Sequence, residues 1–359
     1  MKNKALKKVL VSFGVLLGAV AVFVAGFLVF ASMTTLPVQD IEAMEINGNV
    51  TGKVDKNREI QLLTWNIGYG ALDERQDFYY DGGTGVDGES AEVVQANIKA
   101  IKDKIKEVDP DVFFLQETDI DSQRSFHYNE KASFEEDFKG DTYQNSFARN
   151  FKAGFIPIPL NHPMGNVEAG IATFSKFQIT SSTREQLPIP FSWPVSLVNL
   201  KRCLLINRSP VLFSDKEFVT VNLHLEAYDD GEGKTKQLRQ LMDFMQEEYD
   251  KGNYVVACGD FNQTFSNSDV SKYPKIVDWE CPVIDVSDYP DFTFSMDDSV
   301  PTCRSLDKPY FDSDKATHQY YMLDGFITSN NIKVNSVKTI DLGFKNTDHN
   351  PVVMSVTLD

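Results

Sequence analysis

The sequence predicts a layered domain of strands and helices, preceded by a membrane-spanning segment. Three observations support this prediction. Seven short apolar runs are typical of buried strands, two longer segments repeat their apolar residues with helical period, and 23 residues near the N-terminus carry no charge. The strands are too numerous and too variably connected for a simple doubly wound sheet. We therefore expect a layered α/β or α+β architecture.

The uncharged run extends from Val9 to Ala31 and follows a tail, residues 1–8, that contains four lysines. A run of about 20 apolar residues matches the hydrocarbon thickness of a bilayer, and basic residues in front of it favour a cytoplasmic N-terminus. We expect residues 9–31 to be a transmembrane helix in the cell membrane, with the remainder extracytoplasmic. A cleaved signal peptide is the alternative, although its apolar region usually has only about 7–15 residues. Both alternatives export the remainder of the chain.

The exported part is strongly acidic. Four of the 35 basic residues precede the span and all 52 acidic residues follow it, so the net charge of that part is 31 − 52 = −21. Such a polyanion repels nucleic acid unless a basic patch or metal ions intervene. The alternative interpretation is that the charge only keeps the domain soluble. Cys281 and Cys303 could form a disulfide, whereas Cys203 and Cys258 lie in apolar runs and are expected to be buried thiols.

A polar tether is expected at residues 32–58, and the alternation of strands and helices begins at Glu59. Helical period is seen from Val94 to Val108 and from Leu238 to Tyr249. Residues 119–169 have little periodicity, which is typical of a functional or disordered connection. The predicted strands are Ile60–Trp65, Val112–Leu115, Gly170–Phe174, Phe218–Leu225, Tyr254–Cys258, Gly325–Thr328 and Val352–Leu358.

Polar residues stand at the ends of six of these apolar runs. Turns favour Asp and Asn, so any one of them alone is ordinary. Turn chemistry does not require a histidine, or a glutamate after Phe-Phe-Leu, so the six together indicate a shared site. The residues are Asn66, Glu117, His224, Asp260 with Asn262, Asp324, and Asp348 with His349.

The stretch Gly259-Asp260-Phe261-Asn262 shows how one strand end can serve such a site. A two-residue step along an extended chain places Asp260 and Asn262 on the same side. Phe261 then points into the core, and Gly259 allows another backbone to approach closely. The pattern predicts two polar groups aimed at one ligand.

The order and the amino-acid sequences of these motifs resemble those of the endonuclease/exonuclease/phosphatase superfamily, which has the deoxyribonuclease-I-like fold. The resemblance covers roughly residues 59–359 and implies an α+β domain, a four-layer α/β/β/α sandwich with its active site at one end of the two sheets. The stretches that carry it are TWNIG, LQETD, HLEA, GDFNQT, LDGF and TDHNPV.

The resemblance implies metal-assisted hydrolysis of a phosphate ester. Carboxylate and carboxamide oxygens suit Mg²⁺ (or Mn²⁺), which retains waters and also binds substrate phosphate. Glu117 and Asn66 are the expected ligands, and Asp348 would complete the site or hold a second ion. Zinc spacing of Cys and His is absent from the sequence, as is a Gly-x-Ser-x-Gly nucleophile motif.

The remaining site residues receive their roles from the same resemblance. Asp260 would orient or deprotonate the attacking water, and Asn262 would hold the phosphate. His349 would stabilise the developing charge or act as a base, with Asp324 fixing its tautomer. His224 would face the leaving oxygen as general acid.

Three arginines are weaker candidates. Arg202 and Arg208 in NLKRCLLINR, and Arg149 upstream, either reach the substrate phosphate or are ordinary surface arginines. No protein partner is implied by the sequence.

The substrate class is less constrained than the chemistry. The anchor, the acidic charge and the apolar loop at residues 153–165 favour a phospholipid or another membrane-proximal phosphoester, and HLEA also resembles the His-containing motif of neutral sphingomyelinases. An extracytoplasmic endo- or exonuclease is the alternative, followed by a non-catalytic binding relative. The loop either packs on the domain's own surface or forms a lip that touches lipid.

Overall fold

The coordinates are a computed structural model, and the structure describes residues 2–229, 231–311 and 315–359. The α-helices in the described ranges are α1 (Lys2–Thr34), α2 (Ala91–Val108), α3 (Glu130–Asp137) and α4 (Glu232–Asp250). The strands are β1 (Ile41–Ala43), β2 (Ile46–Asn47), β3 (Ile60–Asn66), β4 (Val112–Asp119), β5 (Gln144–Ile156), β6 (Gly165–Ser175), β7 (Ser181–Gln186), β8 (Cys203–Pro210), β9 (Glu217–His224), β10 (Tyr254–Asp260), β11 (Thr264–Phe265), β12 (Val283–Ile284), β13 (Phe292–Ser295), β14 (Cys303–Arg304), β15 (Tyr320–Tyr321), β16 (Asp324–Ser329), β17 (Ile332–Thr339) and β18 (Val352–Leu358).

Two seven-stranded sheets form the centre of the domain. The first sheet has the order β1-β7-β8-β9-β10-β16-β13, and the second has the order β17-β18-β3-β4-β6-β5-β2. Both sheets mix parallel and antiparallel pairs: β9 is parallel to β10 and β3 is parallel to β4, whereas most other neighbours are antiparallel. This confirms the predicted α+β architecture.

Three apolar layers hold the two sheets and their helices together. The layer between the sheets contains Leu62, Phe114, Val256 and Phe326. A second layer packs α4 on the outer face of the first sheet, and a third packs α2 on the outer face of the second sheet. The order helix, sheet, sheet, helix is the four-layer sandwich that the sequence motifs imply.

All seven predicted strands and both predicted helices are present. Residues 119–169, by contrast, are mostly regular, because they contain α3 and the long β5–β6 hairpin. The apolar loop predicted at residues 153–165 forms the tip of this hairpin. Ile156 is buried there against Phe151 and Met164, while Ile158 and Leu160 are exposed.

The N-terminal helix α1 is long and apolar enough to cross a membrane, with a candidate span at Lys4–Thr34. It could serve as a transmembrane span or as a signal anchor. The segment predicted to be a tether contains β1 and β2, each of which pairs at an edge of one sheet. The four cysteines are free thiols, so Cys281 and Cys303 are not joined.

Candidate active site

Strand register brings the predicted site residues to one end of the sandwich. In the first sheet, Asp260 is paired with His224 on one side and with Asp324 on the other. In the second sheet, Asn66 is level with Gln116, next to Glu117. Asp348 and His349 lie just before β18, separated from it by Asn350 and Pro351, and the first residue of β18 lies opposite Thr64. Polar residues that are up to 283 positions apart in the sequence therefore share one edge.

The backbone after β10 differs from the simple extended chain that the sequence suggested. Gly259 has φ +145, and a Cβ there would lie 1.9 Å from the carbonyl oxygen of Leu223, so the close approach is confirmed. Phe261 is fully buried as expected. Asn262, however, has φ +50. Its backbone N–H donates to Asp260 Oδ1 (2.9 Å), and its side-chain Nδ2 donates to the carbonyl of Leu225 (2.9 Å).

Glu117 is aimed into the site by an irregularity in β4. The register between β4 and β6 shifts between Leu115 and Thr118, and Glu117 itself has φ +55. A bulge of this kind turns one side chain away from the regular alternation. Asn66 Nδ2 then donates to Glu117 Oε1 (3.2 Å) and to Asp260 Oδ2 (3.1 Å), which links the two sheets.

His349 and Asp324 form a buried hydrogen-bonded pair. His349 Nδ1 lies 2.8 Å from Asp324 Oδ2, and its Nε2 lies 3.8 Å from Asp260 Oδ2 and 3.7 Å from Asp348 Oδ2. Burial lowers the pKa of His349, but the nearby acidic groups, Asp324 first, outweigh it and raise that pKa well above its usual value. The raised pKa favours the imidazolium form of His349, which Asp324 holds through Nδ1.

Asp260 lies between the two histidines. Burial and the charge of Asp324 raise its pKa to about 7, against the lowering effect of His349. His224 Nε2 is 3.4 Å from Asp260 Oδ2. Burial, followed by the charge of Arg202, lowers the pKa of His224 well below its usual value. This shift disfavours the protonated imidazole that the predicted general-acid role requires.

The donor set fits a divalent cation. Burial and the charge of Asp348 raise the pKa of Glu117, although Arg124 opposes this shift. One oxygen of Asp324 is buried with no hydrogen-bond partner in the described ranges. Ligand atoms of Asp260, Asp324 and His349 lie within 4.8 Å of one another. A bound cation would offset this concentration of buried carboxylates.

The carboxamide of Asn66 is oriented differently from a metal ligand. Its oxygen accepts a hydrogen bond from the backbone N–H of Gly68 (3.1 Å), so its NH₂ group faces the carboxylates. A 180° rotation of the Asn66 carboxamide would exchange its oxygen and its NH₂ group, so that the oxygen would face the carboxylates.

Of the three arginine candidates, Arg208 lies away from the site, whereas Arg202 lies close enough for its charge to lower the pKa of His224. Arg208 lies at the opposite end of β8 and pairs with Glu217 and Glu248. Arg149 pairs with Glu168 through its Nε at 2.6 Å. Arg202 is buried, with its Nε 3.7 Å from Glu226 Oε2. The prediction that these arginines bind substrate is wrong for Arg208, because its strand position and ion pairs turn it away from the site.

Two groups near the site were not anticipated from the sequence. Arg124 is buried, pairs with Asp119 at 2.8 Å and lies 3.6 Å from the ring centre of Tyr69. Exposed tyrosines also follow the site strands: Tyr228 donates to Asp81 Oδ1 (3.1 Å) and lies beside Tyr80. No spacing signal in the sequence joins these distant residues, because only the fold brings them together.

Two facing sheets with helices outside and a buried acidic site at one end define a sandwich of the deoxyribonuclease-I-like class. The sequence profile of the Endonuclease/Exonuclease/phosphatase family matches residues 63–343. The chain belongs to this family, whose members are generally hydrolases that act on phosphoesters, typically with a metal. A search of curated proteins found no match.

Solved structures agree on the fold. An endonuclease/exonuclease/phosphatase from Beutenbergia cavernae has a TM-score of 0.56 at 16% identity, with 84% of this chain and 72% of that chain covered. One from Bacteroides vulgatus has a TM-score of 0.54 at 14% identity, covering 84% and 100%. The human Nocturnin catalytic domain, which carries a bound sulfate, has a TM-score of 0.51 at 18% identity, covering 88% and 98%.

Proposed function

We propose that the chain is a Mg²⁺- or Mn²⁺-dependent hydrolase of phosphoester bonds that uses water as the nucleophile. The observation that carries this proposal is the contact of Asp260 with two histidines, one of which is held by Asp324. A carboxylate with a pKa of about 7 is suited to accept a proton from water near neutral pH.

The other residues would bind and orient the phosphate. The imidazolium of His349 would face the phosphate through Nε2, where its positive charge stabilises the charge that develops there. Asn262 uses one of its two side-chain N–H groups on Leu225, so the second is left for the phosphate. His224 would orient Asp260 through Nε2, and the proton for the leaving oxygen would come from His349 rather than from His224.

A divalent cation would be held by Glu117 and Asp348, with Asn66 as a third ligand after its amide turns over. When bound, it would polarise the phosphoryl oxygens and offset their charge. The carboxylate oxygens are hard ligands of the kind that Mg²⁺ prefers.

The proposed substrate is a phospholipid or another phosphoester at the membrane surface. The apolar helix α1 supports this choice, with the N-terminus cytoplasmic and the catalytic domain extracytoplasmic. The net charge of −21 on the exported part also disfavours a long polyanion such as DNA or RNA.

The test is a panel of substrates assayed with Mg²⁺ and with EDTA. It contains bis-p-nitrophenyl phosphate, p-nitrophenyl phosphate, DNA, RNA and sphingomyelin vesicles. We expect metal-dependent hydrolysis of the chromogenic diester and of vesicles, with weaker action on nucleic acid, and loss of activity in Asp260→Asn. Asp215→Asn, at an exposed position remote from the site, is the matched control. Preference for DNA or RNA would identify a nuclease, and inactivity on all substrates would favour a binding protein.

A further inference from the structure

Five exposed apolar side chains lie on two loops of the domain. Phe155, Ile158 and Leu160 belong to the tip of the β5–β6 hairpin, and Trp193 and Val195 belong to the loop between β7 and β8. Leu160 is 86% exposed and Trp193 is 64% exposed. We call these five residues the apolar rim. Single exposed apolar residues are common on soluble domains, but large ones gathered on neighbouring loops indicate a contact surface.

The two loops of the apolar rim are neighbours because both pack against the same elements. Val198 and Leu200 pack on the apolar cluster of the hairpin, which includes Ile156 and Met164. The backbone N–H of Lys201 donates to the carbonyl of Asn150 on β5 (2.6 Å). The two loops therefore lie side by side, although they come from separate parts of the sequence.

The end of α1 is fixed to this surface. The backbone N–H of Gly154 donates to Thr34 Oγ1 (3.3 Å), and a Cβ on Gly154 would lie 2.9 Å from the ring of Phe30. Lys201 Nζ donates to Thr35 Oγ1 (3.2 Å). The apolar helix thus leaves the domain from the rim itself.

Strand register places the apolar rim at the same end of the sandwich as the candidate active site. In the second sheet, β4 carries Glu117 at its C-terminal end, and the hairpin continues past this end from the pair Phe151–Ala169 to the pair Ile156–Gly165. In the first sheet, the loop between β7 and β8 begins and ends level with His224. The register of each sheet therefore places one loop of the apolar rim at the active-site end.

We propose that the apolar rim rests in the headgroup region of the bilayer that α1 spans, so that the active-site end of the domain faces the membrane. At about 1.5 Å per residue, the 23 uncharged residues of α1 span about 34 Å, slightly more than the roughly 30 Å hydrocarbon core. Thr34 and the hairpin bonded to it then lie at the interface. Tryptophan is enriched at that depth.

The test measures the depth of single fluorophores in the full-length chain. Cys281→Ser provides a background in which the other three thiols are buried. Burial also raises the pKa of Cys203 to about 11 and of Cys303 to about 12, so they react slowly with a maleimide. The label is placed at Leu160→Cys or Trp193→Cys, and the protein is reconstituted into phosphatidylcholine liposomes that contain a lipid with a nitroxide on its acyl chain.

The matched control is Phe213→Cys. Phe213 is also apolar, is 98% exposed, and lies in the turn between β8 and β9 at the opposite end of the sandwich. We expect the lipid nitroxide to quench the labels at residues 160 and 193 several-fold more strongly than the label at residue 213. Equal weak quenching at all three positions would overturn the proposal. Protection from aqueous iodide without quenching by the lipid nitroxide would also overturn it, and would indicate a second copy or another protein on the rim.

The inference rests on the membrane anchor of the proposed function, but it does not require turnover. Hydrolysis of the soluble chromogenic diester by the same labelled variants reports the chemistry separately. Quenching by the lipid nitroxide without hydrolysis would support the membrane contact and refute the proposed enzymatic activity. Hydrolysis without quenching would support the enzymatic activity and refute the membrane contact.

Discussion

Replacement of Asp260 by asparagine should stabilise the metal-free protein at alkaline pH while it abolishes most of the activity. Asp260 is buried, and its pKa rises from 3.8 to about 7. The folded state therefore binds this proton more tightly than the unfolded state. Between about pH 4 and pH 7 the unfolded chain has released a proton that the folded chain retains, so the free energy of unfolding falls as pH rises.

The size of the effect follows from the shift. A difference of about 3 pKa units corresponds to about 4 kcal/mol at pH 8. At pH 4.5 it corresponds to only about 1 kcal/mol, because that pH lies less than one unit above the pKa of the unfolded state. The hydrogen bond from Asn66 to Asp260 weakens in the variant, which costs about 1 kcal/mol at either pH. Asp260→Asn should thus gain about 3 kcal/mol at pH 8 and almost nothing at pH 4.5.

Guanidinium unfolding in detergent with EDTA measures this difference. The buried Trp65, whose indole N–H donates to the carbonyl of His349 (2.9 Å), reports on the site by fluorescence. Asp215→Asn is the control because it removes the same charge from an exposed position. Turnover by Asp260→Asn should fall about 100-fold or more, the usual contribution of a positioned proton-transfer group. A change in stability that is the same at both pH values, or a loss at pH 8, would refute the reasoning.

Further outcomes are expected for the metal, the acid–base residues, the backbone and the topology. EDTA should abolish hydrolysis, and Glu117→Gln should require much more metal in a Mg²⁺ titration because a ligand charge is lost; full activity in EDTA would contradict the mechanism. His349→Ala should reduce turnover about 100-fold in steady-state assays, whereas Asp324→Asn should lower the pKa of His349 and move the basic limb of the pH–rate profile to lower pH. Gly259→Ala should destabilise the fold in thermal unfolding, since its Cβ would clash with the carbonyl of Leu223. Protease added to intact cells should digest the catalytic domain; complete protection would reverse the proposed topology.

The strands that could be predicted are those buried on both faces. β10 and β16 are examples: their apolar runs give a clear signal, and the polar residues beside them mark the site edge. β7, with the sequence SSTREQ, has no such signal, because it pairs near a sheet edge and its side chains are mostly polar. Its strand conformation is imposed by its partners in the sheet.

The polar residues of the site could be predicted as a group, but their orientations could not. The positive φ of Glu117 depends on a register shift against β6, and that of Asn262 on a hydrogen bond to Leu225. Both are set by neighbours that are distant in the sequence. Arg208 shows the converse case: its residue type suited phosphate binding, but its strand position places it at the opposite end of the sheet.

The hydrogen bonds that fix the end of α1 to β5 also limit how far the active site can move from the membrane. Thr34 is bonded to Gly154, and the backbone N–H of Leu36 donates to the carbonyl of Lys152 (3.2 Å), so almost no chain is free to extend between helix and domain. Each free residue would add at most about 3.5 Å. A membrane-anchored form should consequently act in cis, on molecules of its own leaflet, at a rate set by their surface density rather than their bulk concentration. Diluting proteoliposomes should not slow such turnover, and protein-free substrate vesicles added to them should remain intact.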